Sequence, residues 1–113
     1  MQPQNQLLTL FLANGILMSA IAIPLIRNRV PRNPWYGFRV PKTLASDAVW
    51  YPANCYMGRW LLACGLIDLV GVLLLWPFAA YLSVETVAGV GLALTVIPLA
   101  ITLYKGFRFL DSL

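Results

Sequence analysis

Histidine is absent from the 113 residues, and only four carboxylates and two cysteines are present. Without histidine no Cys–His or Ser–His pair can form, and no group of residues has metal-ligand spacing. Cys55 and Cys64 are nine residues apart, which on one continuous helix places them on opposite faces. They cannot pair with each other, and small apolar fillers are their plainest reading. With no paired carboxylates either, general acid–base catalysis lacks its usual parts. The expectation is a non-enzymatic chain without metal or cofactor. Lys and Arg are missing before Arg27 and again from residues 77–83. A cleavable signal peptide needs a basic lead and a shorter apolar run, so the first apolar stretch is expected to remain in the chain.

What the chain does have is apolar surface. Hydrophobic residues make up 60%, charged residues 11%, and the mean hydropathy is +0.76. A soluble domain of this size could not cover itself with polar groups from such a composition. Three apolar stretches, residues 6–26, 58–76 and 84–104, are each about 20 residues long, enough to cross a hydrocarbon core of roughly 30 Å. They predict an all-α membrane protein, one domain over 1–113, with three transmembrane helices. A long cytoplasmic loop containing an interfacial helix is expected between helices 1 and 2. The net charge is +4, and the eight basic residues are unevenly placed: Arg27, Arg29, Arg32, Arg39, Lys42 and Arg59 fall between the first span and the start of the second, and Lys105 and Arg108 follow the third. The positive-inside rule then puts the N-terminus outside and the loop and C-terminus inside. Anionic lipid headgroups are the partner this charge implies, not nucleic acid.

Within the spans, Gly15, Ser19 and Ala22 form a small-residue stripe beside Asn14, and Ala88, Gly91, Thr95, Pro98 and Thr102 form another. Both predict close helix–helix packing. Asp68 stands apart. It lies ten residues after Gly58 and nine before Pro77, at the bilayer centre, where a charged aspartate costs about 2.5–3.5 kcal/mol on the lenient insertion scale. Its face carries Cys64, Gly71 and Leu75, so the carboxyl is expected to turn into the bundle, with Asn14 or Thr95 as partners at similar depth. Two readings stand equal: a proton or cation site, and a polar clamp between helices.

The segment "NPWYGFRVPKTLASDAVWYPANCYMGR", residues 33–59, is the chemically varied part. Some thirty residues between the first two spans far exceed the roughly two to eight usual in helical bundles. Arg27 to Pro34 should be extended or turned, Gly37 gives a flexible point, and Pro41 biases Val40 away from helix. Ser46 or Asp47 can cap a helix with apolar positions at Val49, Trp50, Ala53, Met57 and Trp60, which Pro52 should kink or restart. Trp35, Tyr36, Trp50, Tyr51, Tyr56 and Trp60 suit an aromatic belt at headgroup depth. Asn33 and Asn54 are placed to satisfy turn or helix-end backbone groups, and Gly37 and Gly58 permit tight turns and close packing. Arg39 and Arg59 could hold one anionic group between them, a lipid phosphate or Asp47.

Asn33, Tyr36, Gly37, Arg39, Pro41, Thr43, Leu44, Ser46, Asp47, Trp50, Asn54, Gly58 and Arg59 together resemble, without gaps, the signature of the SdpI family. These are small bacterial membrane proteins related to the immunity protein against a sporulation-delaying toxin. Val40 and Ala48 depart from the family's usual threonine and second acidic residue. The resemblance implies an inner-membrane protein that protects against a membrane toxin and signals by capturing a regulatory protein. It makes the loop the functional element, with Asn33, Trp35, Tyr36, Arg39, Asp47, Trp50, Asn54 and Arg59 as ligand- or headgroup-binding residues and Gly37, Pro41, Ser46 and Gly58 as structural ones. The leading expectation is thus toxin immunity, envelope-stress tolerance or signal relay, with a peptide toxin, a regulatory protein or a second copy of the chain as partners. The alternative is a small oligomeric proton-coupled transporter or channel using Asp68. A lipid-modifying enzyme ranks last.

Overall fold

The computed structural model describes residues 2–113. Every regular element among them is helical: α1 (Pro3–Ile26), α2 (Pro41–Ala45), α3 (Asp47–Leu75) and α4 (Val84–Asp111), with a 3₁₀ segment (Trp76–Tyr81) joining α3 to α4. Three of these are long and apolar enough to cross a membrane. The whole is a rod of 51 × 23 × 19 Å.

Local sequence sets the ends. Pro3 opens α1, where its missing N–H costs nothing. The helix closes at Arg27 and Asn28, the latter in the left-handed region (φ 56), while the Arg29 amide donates back to Pro24 O at 3.0 Å. Ser83 caps α4, its hydroxyl accepting from the Thr86 amide at 3.1 Å, and Glu85 adds a negative charge to the first turn.

α3 is the central element, running antiparallel to both α1 and α4. On the α1 side the small-residue stripe does what its spacing predicts. A Cβ on Gly65 would lie 2.8 Å from Gly15 O and 2.4 Å from Ser19 Oγ, and one on Gly58 would meet Ala22 O at 3.1 Å. The two backbones therefore approach where nothing larger than hydrogen fits. On the α4 side Gly71 lies under Leu94, and α1 meets α4 where Gly91 lies under the Phe11 ring. The far end is sealed by Leu8, Val72, Ala79 and Val87 and tied by Gln4 Nε2 donating to Leu82 O at 3.0 Å. Leucine, isoleucine and valine side chains such as Leu10, Leu17, Leu66, Leu73, Leu92 and Ile97 point outward, as lipid-facing surfaces require.

The connection between α1 and α3 differs from a separate loop and interfacial helix. Residues 27–40 are irregular, α2 is one short turn, and α3 runs without interruption from Asp47 through the second apolar stretch. Pro52 neither ends nor restarts it: the ring removes one N–H early in a 29-residue helix whose other bonds persist. At about 43 Å this helix is longer than the hydrocarbon core, so residues 47–57 project beyond it. Ser46 occupies the cap position with extended backbone, but its side chain makes no cap bond. The Trp50 amide instead donates to Ser46 O at 2.9 Å.

Candidate functional site

Residues 27–46 fold back onto the projecting ends of the helices, and side-chain amides organise the turn. Asn33 Oδ1 accepts from the amides of Trp35 (2.8 Å) and Tyr36 (2.7 Å), and its Nδ2 donates to Pro31 O (2.7 Å) and Tyr36 O (3.1 Å). One side chain thereby stands in for a missing stretch of secondary structure. Asn54, on α3, grips the chain further on. Its Oδ1 accepts from the Phe38 amide at 2.5 Å, while Nδ2 donates to Trp50 O at 3.0 Å and lies 3.4 Å from Phe38 O.

Trp50 is the pillar beneath this arrangement. Its side chain is fully buried, and its indole N–H donates to Val30 O at 2.7 Å. Gly37 passes over the ring at φ +114, where a Cβ would sit 2.6 Å from Asn54 Oδ1 and 3.2 Å from Trp50 Cη2. Only glycine suits both the angle and the gap. Thr43 completes the fold. Its buried hydroxyl accepts from the Val40 amide (3.0 Å) and donates to Phe38 O (2.8 Å), one half of a capping box on the turn that Pro41 opens.

The outcome is a finger, residues 35–39, whose Tyr36 and Phe38 reach in among all three long helices. The Tyr36 hydroxyl donates to Ile21 O on α1, and burial pushes this phenol up from its usual value, so it stays a protonated donor. Phe38 meets Phe107 of α4 edge-on at 5.2 Å. Lys42 Nζ donates to Leu110 O at 2.7 Å, a cation at the carbonyl end of α4.

Under the finger, side chains of α1, α3 and α4 line a cavity of about 460 Å³. Leu25, Leu61, Leu99 and Leu103 supply apolar walls, with Trp35, Tyr36 and Arg39 on the finger side. Trp35 is 82% exposed. Arg39 is also exposed, braced by Nη1 donating to Pro34 O and Nε donating to Gly37 O at 3.2 Å. That bracing uses two of the five guanidinium N–H groups and leaves Nη2 for a ligand. The geometry suits an anion with an apolar body.

Several residues assigned from sequence take other roles. Trp50 and Asn54 are buried and internally satisfied, their polar atoms holding the finger, and Trp50 is not part of an exposed belt. Asn33 likewise spends its amide on the turn. Arg39 and Arg59 share no partner: Arg59 is exposed on α3, does not line the cavity under the finger and makes no ion pair among the described residues. Asp47 pairs with Arg32 at 2.7 Å, with both side chains substantially exposed. Thr43 stands in the signature without an assigned role, and nothing local in the sequence marks the contacts of Phe38 and Lys42. For Thr43 a signal existed, a hydroxyl two residues after a helix-opening proline.

At the middle of the bundle, Asp68 is buried and bonded to both neighbouring helices. Asn14 Nδ2 donates to Oδ2 at 2.8 Å, and Thr95 Oγ1 lies 3.0 Å from Oδ1 and 3.1 Å from Oδ2. One turn away Cys64 Sγ and Thr102 Oγ1 form a second α3–α4 contact at 3.1 Å. Among the described residues no buried side-chain nitrogen or oxygen lacks a partner.

A model of the SdpI/YfhL protein family matches residues 29–105. The match takes in the finger, α2, α3 and most of α4, and begins just beyond α1. No curated protein and no solved structure matches the chain.

Proposed function

The chain belongs to the SdpI/YfhL protein family, and we propose that it works as a non-enzymatic recognition protein of the bacterial inner membrane. Its service is toxin immunity, envelope-stress tolerance or signal relay, and its recognition element is the finger. The observation that carries this reading is the placement of Arg39. A rigid, amide-braced turn holds a guanidinium with unused N–H groups at the mouth of an apolar cavity between helices. Such a mouth takes an anionic amphiphile, charged end on Arg39 and apolar body against Leu61, Leu99 and Leu103. The chain's basic residues cluster at the finger end of the rod, which favours that end in the cytoplasm and the N-terminus outside. A single cysteine at exposed position 29, with Cys55 and Cys64 replaced by alanine, should resist an impermeant reagent applied to intact cells. Strong labelling there would reverse the orientation.

Asp68 supports the clamp reading over the proton-coupled transporter, because both carboxyl oxygens already have partners on two other helices. The recognition reading is tested with Arg39→Lys, which keeps charge and loses the planar fork. A charged hydrogen bond of this kind is worth about 1.5–3 kcal/mol, roughly ten- to a hundred-fold in affinity. Growth under a membrane-active peptide or envelope stress should therefore drop sharply in Arg39→Lys and stay near wild type in Arg29→Lys. Equal growth of the two variants would reduce the finger to a generic basic anchor.

A further inference from the structure

A second cationic site lies on the outer side of α4, away from the finger cavity. Tyr56 of α3 and Tyr104, Lys105, Arg108 and Phe109 of α4 enclose a hollow of about 320 Å³. Its wall is built: Tyr56 stacks on Phe109 with ring centroids 4.2 Å apart and planes within 5°. Arg108 is held in place by its own helix, Nη1 donating to the Tyr104 hydroxyl at 3.0 Å with the guanidinium 5.8 Å from the Tyr104 ring centre. Lys105 stands beside it. No carboxylate lines the hollow, and neither cation forms an ion pair among the described residues. Two positive charges with no carboxylate beside them therefore share one spot.

The depth of that spot is set by the chain itself. Lys105 follows directly on the apolar stretch 84–104, and Gly106 lies against Met57 at the level where α3 enters its own apolar stretch. On the same face of α4, Ile97, Ile101 and Tyr104 are exposed at helical spacings of four and three before Arg108. An apolar strip thus leads from the hydrocarbon up to a pair of cations at phosphate level, flanked by tyrosines suited to that interface.

We propose that Tyr56, Tyr104, Lys105 and Arg108 form a binding site for the phosphate of an anionic phospholipid, with an acyl chain lying along Ile101 and Ile97. The lysine supplies a point charge, the arginine a planar fork, and the tyrosine hydroxyl keeps the fork facing the phosphate. Basic pockets between transmembrane helices recognise headgroups in this way. The site is independent of the Arg39 reading: it shares no lining residue with the finger cavity.

Native mass spectrometry of the full chain with phosphatidylglycerol and phosphatidylethanolamine tests this. Wild type should retain one phosphatidylglycerol in preference to phosphatidylethanolamine. The Lys105→Gln/Arg108→Gln double variant should retain it ten- to a hundred-fold more weakly, and Arg108→Lys should fall between. Arg27→Gln/Arg29→Gln removes the same net charge and should leave retention unchanged. Because both site residues are on the surface, thermal unfolding of the double variant should match wild type. Equal loss in the two double variants would overturn the site in favour of diffuse attraction. Displacement of the lipid by millimolar inorganic phosphate alone would overturn the lipid assignment and leave a free-phosphate site.

Discussion

The two ends of α3 are held by opposite means. Along its apolar half the contacts are made by what is missing: Gly65 and Gly58 against Gly15, Ser19 and Ala22 let backbones touch, and a single polar group, Asp68, joins three helices. Along its first eleven residues the contacts are made by what is added. Asn54 and the Trp50 indole reach out to the backbone of an irregular segment that has no helix or sheet to satisfy it. In lipid every backbone group must be satisfied within its own helix, so packing reduces to shape. Beyond the lipid, side chains can replace secondary structure, and a rigid turn carrying Arg39 becomes affordable.

This contrast is sharpened most by Trp50→Ala. It deletes the pillar and leaves Val30 O without its donor, which should destabilise the finger by about 3–5 kcal/mol. Limited proteolysis in lipid nanodiscs should then cut within residues 30–46, while the helical signal of the apolar stretches stays. Loss of the whole fold would instead mean that the finger and bundle are one unit.

Next in size is Gly37→Ala. A Cβ in that backbone region and that gap should cost about 1–3 kcal/mol. The growth phenotype should approach that of Arg39→Lys although the guanidinium itself is untouched. Wild-type growth from Gly37→Ala would separate the finger's shape from Arg39's role.

Asp68 gives the cleanest contrast between its two readings, and Asp68→Asn the smallest effect. Asp68→Ala strands Asn14 and Thr95 and should cost about 1–3 kcal/mol. Asp68→Asn keeps a hydrogen-bonding group of the same size and should cost well under 1 kcal/mol, near the mean for interhelical bonds in membranes. Proton flux into liposomes should be the same for wild type and Asp68→Asn. A pH-dependent flux lost in Asp68→Asn would restore the transporter reading.

The legible parts of the chain follow the same division. Apolar length and small-residue spacing point to three spanning helices, and depth alone pairs Asp68 with Asn14 and Thr95, where the structure places them. Helical periodicity from Ser46 onward marks the helix start, though Pro52 suggests a break that a long helix absorbs. The finger is harder because it has no period. An aromatic-rich, basic segment beside a span has the composition of an interfacial belt, and nothing local distinguishes Trp35, which is exposed, from Trp50, which is buried. That difference depends on residues 30–38 folding back over α3, a long-range event. The pairing expected of Arg39 and Arg59 fails for a related reason: Arg59 rides on the continuous α3, while the finger's turn carries Arg39 to the cavity.

Hydrogen exchange at the Phe38 amide, measured in lipid nanodiscs, tests the central claim that the finger is part of the folded body. This N–H lies outside every helix yet donates to the buried oxygen of Asn54. It should be protected to a degree comparable with α3 amides in wild type and lose that protection in Trp50→Ala. Exchange in wild type at the rate of an unstructured peptide would contradict the account, making residues 27–46 a mobile linker and leaving Arg39 without a fixed place.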